Sequence, residues 1–494
     1  MSDEKKGMIT ILGLGPGDPA LLTRQAWAWL QSIPEVYLRT AQHPTVEGFP
    51  QGLKIHSFDE LYNGAERFEE VYSAIVERIL ELGRRPEGVT YAVPGHPFVA
   101  EATGPEIVKR AREMGIQVQV IEGMSFIDPV MTALEVDPAP QMALVDALAL
   151  GGNYAPAFPP TFPALISQIY SREIASEVKL TLNAVYPDEH PVRLVHGAGT
   201  ADVRVEELAL YQIDRSTHTG LLTVLYVPPL DPDTSFESFQ DIIAHLRAPE
   251  GCPWDREQTH QSLRTHLLEE TYETIAALDE NNLESLKEEL GDLLLQIGLH
   301  AQIAVEEGEF SMADVIQGIS QKLIRRHPHV FGEVQVDSAP ELLKNWEKLK
   351  EEERKENPSN HSQGLLDSIP SILPALSQAQ KYQERTARVG FDWADIQPVI
   401  DKVREELDEV LQAGDDEARA RELGDLLFAV VNLVRWYNVD AESTLRETNQ
   451  RFRQRFRHIE QRAHAQGHNL TDLTLQQMDV FWDEAKKLER PNSG

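Results

Sequence analysis

The residues most able to do chemistry are acidic side chains that recur twice with the same spacing. A Glu-x-x-Glu pair is followed by a Glu-x-x-Asp pair at 270–292 and again at 406–425. On a helix of about 3.6 residues per turn, positions i and i+3 share a face, so each pair presents two carboxylates side by side. The acids are Glu270, Glu273, Glu289 and Asp292 in the first copy and Glu406, Glu409, Glu422 and Asp425 in the second.

The second acid pair of each copy lies in the run Glu-Leu-Gly-Asp-Leu-Leu, at 289–294 and 422–427. Leucines and isoleucines between 290 and 299 cover most of the helix circumference, a pattern that predicts a buried helix. An uncompensated carboxylate near a core is costly, which disfavours the alternative that these acids are merely solvated. Four carboxylates from two helices predict a Mg²⁺ site, and the lack of His or Cys at ligand spacing argues against zinc.

Basic pairs also recur, each on one helix face. Lys322 with Arg326, and Arg451 with Arg455, are spaced i, i+4, and each pair is followed by a Trp-x-x-x-Lys. In so acidic a chain they predict a polyphosphate-binding group, and salt bridges to neighbouring acids are the alternative. The tryptophans either stack on a base or pack in the protein. The Trp-x-x-x-Lys residues are Trp346 and Lys350 in the first copy and Trp482 and Lys486 in the second.

Together these residues resemble the MazG family of nucleoside triphosphate pyrophosphohydrolases. The family pattern Glu-Glu-x-x-Glu, a spacer and Glu-x-x-Asp is complete at 269–292 and at 405–425, and "GCPWDREQT" and "RRHPHVFG" also resemble this family. The resemblance implies an α-helical bundle that binds Mg²⁺ through the four acids of each copy and cleaves a nucleoside triphosphate to monophosphate and pyrophosphate. Bundles of this type pair, so the resemblance also implies contact between the two copies, with a second chain, or both.

Glu269 and Glu405 each precede the first acid pair of their copy. As a hypothesis, they orient or deprotonate the attacking water. A role in supporting the metal ligands, or in holding a second metal ion, is equally open.

Composition and charge limit the classes of function. The chain has 494 residues, a length typical of about three domains, and its formal net charge of -34 disfavours binding to nucleic acid. Cys252 is the only cysteine. The N-terminus lacks the apolar core of a signal peptide, and no run of about 18 apolar residues predicts a membrane span. We therefore expect a cytoplasmic protein without nucleic-acid or membrane partners.

The elements that must position the acids divide the chain into an α/β part and an all-α part. Alternating strand and helix patterns predict an α/β domain over 1–230, and the Pro- and Asp-rich segment 225–237 marks its end. Amphipathic patterns then predict a first helical repeat at 235–352 and a second at 376–490, joined by a polar linker at 353–375.

Three glycine-containing loops of the α/β part form a second candidate site. The first, "LGLGPGDPALLT", lies between a strand and a helix, where glycines either let a ligand approach the backbone or satisfy a tight turn. With "YAVPGHP" and "EGMSFID", this part resembles the tetrapyrrole methylases, although His96 stands where those methylases commonly carry Asp. The resemblance implies that S-adenosylmethionine binds in a cleft between two α/β lobes. The residues expected there are Gly13, Gly15, Gly17, Gly95, His96, Ser125 and Phe126.

The fusion of such a domain to two MazG repeats resembles the YabN type of bacterial protein. The expected function is Mg²⁺-dependent nucleoside triphosphate pyrophosphohydrolysis. One alternative is an S-adenosylmethionine-dependent methyltransferase whose helical half binds a regulatory nucleotide. Another is that the helical repeats form only a dimerisation scaffold, which the intact acids of both copies disfavour.

Overall fold

The computed structural model describes residues 7–62, 68–332, 334 and 364–488. The chain divides into two compact units, Met1–Glu257 and Gln258–Gly494. An α/β unit followed by a helical one confirms the predicted fold class. The predicted domain limits stay predictions, and the segment 236–257, expected at the start of the first repeat, groups here with the first unit.

The described part of the first unit contains two five-stranded sheets. Their strands are β1 (Met8–Gly13), β2 (Glu35–Leu38), β3 (Lys54–Ser57), β4 (Val89–Val93), β5 (Gln117–Ile121), β6 (Ala143–Asp146), β7 (Ala164–Ser167), β8 (Pro191–His196), β9 (Arg204–Ala209) and β10 (Thr223–Val227). The first sheet has the order β3-β2-β4-β1-β5 and is parallel throughout. The second has the order β6-β7-β10-β8-β9, in which β6 and β7 are parallel and the other pairs antiparallel.

Helices cover both faces of the parallel sheet. The helices of this unit are α1 (Arg24–Ser32), α2 (Asp59–Tyr62), α3 (Phe68–Leu82), α4 (Thr103–Glu113), α5 (Ile127–Leu134), α6 (Ala147–Gly151), α7 (Arg172–Leu182), α8 (Phe236–Arg247) and α9 (Pro253–Glu257). Ile9 and Ile11 of β1 pack with α3 and α4, whereas Leu12 packs with α1. Burial on both faces explains why the inner strands β1 and β4 are mostly apolar, whereas the edge strands β3 and β5 are not.

The described residues of the second unit form helices joined by turns and loops, without a strand. Its helices are α10 (Arg264–Asp279), α11 (Leu283–Glu307), α12 (Met312–Arg326), α13 (Pro328–Phe331), α14 (Ala375–Arg388), α15 (Ile396–Gln412), α16 (Asp416–Trp436), α17 (Ala441–Ala465) and α18 (Leu475–Leu488). Two packed helix pairs, α10 with α11 and α15 with α16, carry the repeated acids. Short turns join each pair, and the caps Asn282 and Asp415 begin α11 and α16. Within the described ranges, no helix has both the length and the apolar character needed to cross a membrane.

Helix α11 is apolar around most of its circumference but is not buried around it. Leu299 is 2% exposed, whereas Leu290 is 52% and Ile297 46% exposed. The prediction of a fully buried helix is therefore wrong for the single chain. The apolar pattern identifies the side chains whose burial would be favourable. Within the chain, α10 packs against one face of α11.

Candidate active site

The first acid cluster comprises Glu270 and Glu273 of α10 and Glu289 of α11. Each offers a carboxylate oxygen, and these oxygens all lie within 4.8 Å of one another. The i, i+3 spacing puts the two acids of α10 on one face, and the packing of α11 against α10 brings Glu289 to them. Three of the four acids predicted for this copy therefore meet.

The acids of the first acid cluster repel one another. Partial burial raises the pKa of Glu270, and the charges of Asp292 and Glu273 raise it further. Burial, followed by Glu273 and Asp292, likewise raises the pKa of Glu289. Asp292, the fourth predicted acid, stands outside the group of three but acts on it through its charge. A divalent cation would relieve this repulsion, and oxygen donors are the ligands Mg²⁺ prefers, so the residues fit such an ion.

The second acid cluster has the same construction. It comprises Glu406 and Glu409 of α15 and Glu422 of α16, whose carboxylate oxygens also lie within 4.8 Å of one another. Glu406 is buried, with 6% of its surface exposed. Glu409 is exposed, and partial desolvation of its carboxyl group, then the charges of Glu406 and Glu422, raise its pKa. Asp425 again stands outside the group of three.

Lys402 distinguishes the second acid cluster from the first. Its Nζ lies 2.7 Å from Glu406 Oε1 and 3.0 Å from Glu405 Oε1. The hydrogen bonds to these two carboxylates raise the pKa of Lys402. In the first repeat the corresponding position holds His266, whose Nδ1 lies 3.4 Å from Glu269 Oε2. Lys402 was not among the predicted site residues, although its i, i+4 spacing to Glu406 is visible in the sequence.

A cavity of about 330 Å³ opens beside the second acid cluster. Lys402, Glu406 and Asp425 line it, so the cavity is continuous with the charged groups. Other parts of its wall are aromatic and comprise Tyr382, Phe391, Trp393 and Phe428. The volume falls within the range of about 300–1,000 Å³ typical of small-molecule sites. The cavity was not predicted, because its walls come from several separate segments: Leu366, α14, the loop that follows α14, α15 and α16.

Two of the residues predicted to bind substrate in the second repeat lie together. The guanidinium carbon of Arg455 is 5.3 Å from the centre of the Trp482 ring, and the Phe452 ring is 5.2 Å from it. Trp482 also packs against a buried group formed by Ile459, Ala463, Leu473 and Phe481. Of the two roles predicted for the tryptophans, Trp482 therefore has the one of packing within the protein.

The other two residues predicted to bind substrate in the second repeat, Arg451 and Lys486, lie beside acids of their own helices. Arg451 Nη1 is 3.6 Å from Glu447 Oε2, and Lys486 Nζ is 3.3 Å from Asp483 Oδ1. These contacts correspond to the salt-bridge alternative. Surface pairs of this kind contribute little to stability, so both cations can exchange partners at little cost.

The basic pair of the first repeat lies at the end of α12. Lys322 is exposed, and Arg326 is half-buried in the last turn, where a basic side chain suits the helix dipole. Trp346 and Lys350 lie outside the described residues.

The helical half of the chain matches a known family. The model of the MazG nucleotide pyrophosphohydrolase domain matches residues 258–331. The Thermotoga maritima protein named nucleoside triphosphate pyrophosphohydrolase/pyrophosphatase MazG is 46% identical over 251 residues, which are 51% of this chain and 95% of that protein. The chain belongs to the MazG family.

This MazG-family chain also has a relative that matches along nearly all of its length. The uncharacterized protein YabN of Bacillus subtilis (strain 168) is 42% identical over 493 residues, which are 98% of this chain and 99% of that protein. The model of the Tetrapyrrole (Corrin/Porphyrin) Methylases matches residues 8–214. Both predicted families and their order are thus confirmed. The crystal structure of a uroporphyrin-III-C-methyltransferase from Thermus thermophilus covers 45% of this chain and 92% of its own, at 21% identity and a TM-score of 0.35.

The glycine loops of this MazG-family chain meet at the carboxyl ends of β1, β4 and β5. Gly95 N donates to Gly15 O at 2.7 Å, and Gly15 N donates to Gly95 O at 3.2 Å. Both glycines have positive φ, at 73° for Gly15 and 67° for Gly95. A Cβ at Gly13 would lie 2.4 Å from Gly123 N and 2.7 Å from Gly95 O. Tight turns and close backbone packing therefore account for these glycines without a ligand.

The remaining residues predicted for this site adjoin the same loops. A Cβ at Gly17 would lie 2.7 Å from Thr200 Cγ2. His96 Nδ1 accepts a hydrogen bond from the backbone two residues on, at 3.1 Å. Ser125 Oγ accepts one from the backbone at the start of α5, at 3.2 Å, and Phe126 packs against a buried group of that helix. The structure thus brings the three predicted loops together.

Proposed function

We propose that this protein hydrolyses nucleoside triphosphates to monophosphate and pyrophosphate in both of its helical repeats, with Mg²⁺ as cofactor. The observation that carries the proposal is the convergence of three carboxylates from two packed helices, twice in one chain. Burial and, after it, the charges of neighbouring acids raise the pKa values of Glu270, Glu289 and Glu409, and a bound cation would offset both effects.

The acids are proposed to act as metal ligands. Glu270, Glu273, Glu289 and Asp292 would hold Mg²⁺ in the first repeat, and Glu406, Glu409, Glu422 and Asp425 would hold it in the second. When bound, Mg²⁺ supplies positive charge to phosphate oxygens and lowers the pKa of a water molecule. The carboxylates fix where that charge lies relative to the substrate.

Side chains beside the clusters are proposed to position water and phosphate. Glu269 and Glu405 adjoin the ligands in sequence and would orient or deprotonate the attacking water. Lys402 already donates to two carboxylates and can neutralise charge on a phosphate that enters the second cluster. The remaining basic and aromatic residues proposed to contact the substrate are Lys322, Arg326, Trp346, Lys350, Arg451, Arg455, Trp482 and Lys486.

We also propose that two copies of the chain pair through α11. The two repeats touch within one chain, since Arg446 Nη1 of α17 lies 3.8 Å from Asp279 Oδ2 of α10. Leu290, Leu294 and Ile297 nevertheless stay exposed with both repeats present. A contiguous apolar face of this kind favours cover by a second chain.

The activity is tested by incubating the full-length protein with Mg²⁺ and each of the common ribo- and deoxyribonucleoside triphosphates. Chromatography and phosphorus NMR then identify the products. Monophosphate and pyrophosphate support the proposal. Diphosphate and phosphate, or no turnover of any triphosphate, would contradict it.

A second candidate function concerns the first unit, which we propose binds S-adenosylmethionine. Its support is the convergence of three loops, around Gly13 and Gly15, at Gly95, and at Ser125, together with the match to the tetrapyrrole methylases. Calorimetry of the full-length protein with S-adenosylmethionine and S-adenosylhomocysteine tests it. Heat from either ligand supports binding, and no heat from both would remove the methyltransferase function.

A further inference from the structure

The cavity beside the second acid cluster contains two buried amides that the proposed chemistry does not use. Gln383 of α14 and Asn432 of α16 both line the cavity, and each is 7% exposed. Polar groups buried to this extent normally have hydrogen-bond partners. The atoms that these amides leave unpaired therefore indicate what a ligand would have to offer.

Gln383 leaves one acceptor unpaired. Its Nε2 donates to the carbonyl oxygen of Phe428 at 2.9 Å. This bond fixes the orientation of the amide, because the reversed amide would set two acceptors against each other. Its Oε1 is buried and has no hydrogen-bond partner in the part of the chain that the structure describes. An N–H group of a ligand in the cavity would provide one.

Asn432 leaves one donor. Its Oδ1 accepts a hydrogen bond from Arg435 Nε at 2.9 Å, and Arg435 Nη2 in turn donates to Asp392 Oδ1 at 2.7 Å. This bond orients the Asn432 amide in the same way, so that its Nδ2 group is the donor without a hydrogen-bond partner among the described residues. Gln383 and Asn432 thus bring one unpaired acceptor and one unpaired donor group to the set of residues that line a single cavity.

The rest of the lining suits a flat ring. Phe391, Trp393 and Phe428 contribute exposed aromatic surface, on which a planar heterocycle can stack. Lys402 and Glu406 line the same cavity, so a ring held there lies beside the groups proposed to bind the phosphates and the metal.

We propose that this cavity holds the base of the nucleotide and that Gln383 and Asn432 select the base by its edge. The preferred base offers an N–H donor to Gln383 Oε1 and an acceptor to Asn432 Nδ2. This inference rests on the proposed function and adds to it the residues that determine base specificity in the second repeat.

The first repeat provides an internal contrast. The matched runs at 289–294 and 422–427 align Asn432 with Leu299, which has no polar side-chain atom and is buried. The first repeat therefore lacks the donor, and base selection through this amide belongs to the second repeat. Asn432→Leu installs the residue that the fold already accepts at the equivalent position.

The test uses the full-length protein carrying Asp292→Asn, so that the second repeat is the active one. Values of kcat/KM are measured for nucleotide pairs that differ in the edge N–H. The pairs are ATP with purine riboside triphosphate, CTP with its 4-deamino analogue, GTP with its N1-methyl derivative, and UTP with its N3-methyl derivative. For the best-used base, we expect the N–H nucleotide to be preferred about tenfold, the effect of one hydrogen bond.

Gln383→Met removes the acceptor and should abolish this preference, chiefly through KM. Asn432→Leu should lower kcat/KM for the natural nucleotide by a similar factor. Gln380→Met is the matched control, because Gln380 is a buried glutamine of the same helix whose Oε1 accepts from Ala441 N at 2.8 Å and whose Nε2 donates to Val439 O at 3.2 Å. It should leave the preference unchanged.

A preference that survives both Gln383→Met and Asn432→Leu would overturn the inference, and so would equal use of the paired nucleotides by the parent protein. If no triphosphate is turned over, the proposed hydrolysis is wrong, but base selection by the cavity can still be tested. Calorimetry with the corresponding nucleoside monophosphates then measures whether binding depends on the edge N–H. Binding that depends on the edge N–H and is lost in Gln383→Met supports the inference. Equal binding of paired monophosphates, or no binding, overturns it.

Discussion

Lys402 Nζ lies 2.7 Å from Glu406 Oε1, which places a lysine inside a carboxylate cluster that we propose holds Mg²⁺. The corresponding residue of the first repeat, His266, contacts the exposed Glu269 instead. The two repeats thus share their acids and differ in the positive charge beside them. Because of this difference, we expect the matched substitutions Lys402→Met and His266→Met to affect stability differently.

Lys402→Met should destabilise the protein most when Mg²⁺ is absent. The buried carboxylate of Glu406 loses its partner, at a cost of about 1–3 kcal/mol, and bound Mg²⁺ would replace part of the missing charge. Urea unfolding in EDTA and in Mg²⁺ measures both values. His266→Met is the matched control and should change the free energy of unfolding little. An equal loss with and without Mg²⁺ would place Lys402 outside the metal site.

The stabilising effect of Mg²⁺ should increase with pH. Raised pKa values at Glu270, Glu289 and Glu409 mean that the metal-free folded state holds these protons more tightly than the unfolded chain does. The stability of the protonated form is therefore lost as pH rises from about 4.3, the ordinary carboxyl pKa, through the raised values. Above this window the ionised acids repel one another unless a cation binds.

Melting curves with and without Mg²⁺ between about pH 4 and pH 8 test this expectation. The Mg²⁺-induced rise in Tm should be small near pH 4 and larger at pH 7. Glu289→Gln should raise the Tm of the metal-free protein at pH 7, because it removes one repelling charge, and should reduce the response to Mg²⁺. A response to Mg²⁺ that does not vary with pH would contradict this account.

Gly13→Ala should destabilise the first unit more than Gly95→Ala. The added methyl group would lie 2.4 Å from Gly123 N and 2.7 Å from Gly95 O, so that backbone must move, and we expect a loss of about 3 kcal/mol. Gly95 has open space at its Cβ position, and its positive φ costs about 1–2 kcal/mol. Thermal unfolding compares the two variants. If Gly13→Ala leaves the stability unchanged but abolishes S-adenosylmethionine binding, the glycine is required for ligand binding and not for packing.

The spacing of residues along the sequence correctly predicted which side chains share one face of a helix. The i, i+3 spacing placed Glu270 with Glu273, and the acid pair Glu289 and Asp292 predicted that a second helix completes the cluster. The alternation of strands and helices similarly predicted the α/β fold of the first unit. These features depend on local geometry, which the sequence specifies directly.

Features that depend on what lies opposite a side chain could not be predicted. Lys402 and Glu406 are spaced like an ordinary i, i+4 surface pair, and the burial of Glu406 follows only from how α15 and α16 pack. The unpaired Oε1 of Gln383 likewise requires the position of the Phe428 carbonyl on another helix. The leucines of α11 predicted an apolar face correctly but not what covers it.

That apolar face should mediate pairing of two chains. Leu290→Glu combined with Ile297→Glu puts two charges on a surface that is exposed in the single chain, so folding should be retained while association is lost. Sedimentation measures the mass of both proteins. Leu475→Glu, at an exposed leucine that begins α18, is the control and should leave the mass unchanged. A wild-type monomer at all concentrations would exclude the pairing.

The central claim is that each carboxylate cluster holds its own Mg²⁺ and that both hydrolyse nucleoside triphosphates. Asp→Asn keeps the shape of the side chain but removes the charge that acts on its cluster, so Asp292→Asn should silence the first site and Asp425→Asn the second. The decisive measurement is the rate of pyrophosphate release from nucleoside triphosphates in Mg²⁺ by the wild type, both single variants and the double variant, with the fold checked by circular dichroism. We predict that each single variant keeps a substantial part of the activity and that the double variant keeps almost none; complete loss in either single variant with the fold intact would contradict two independent sites.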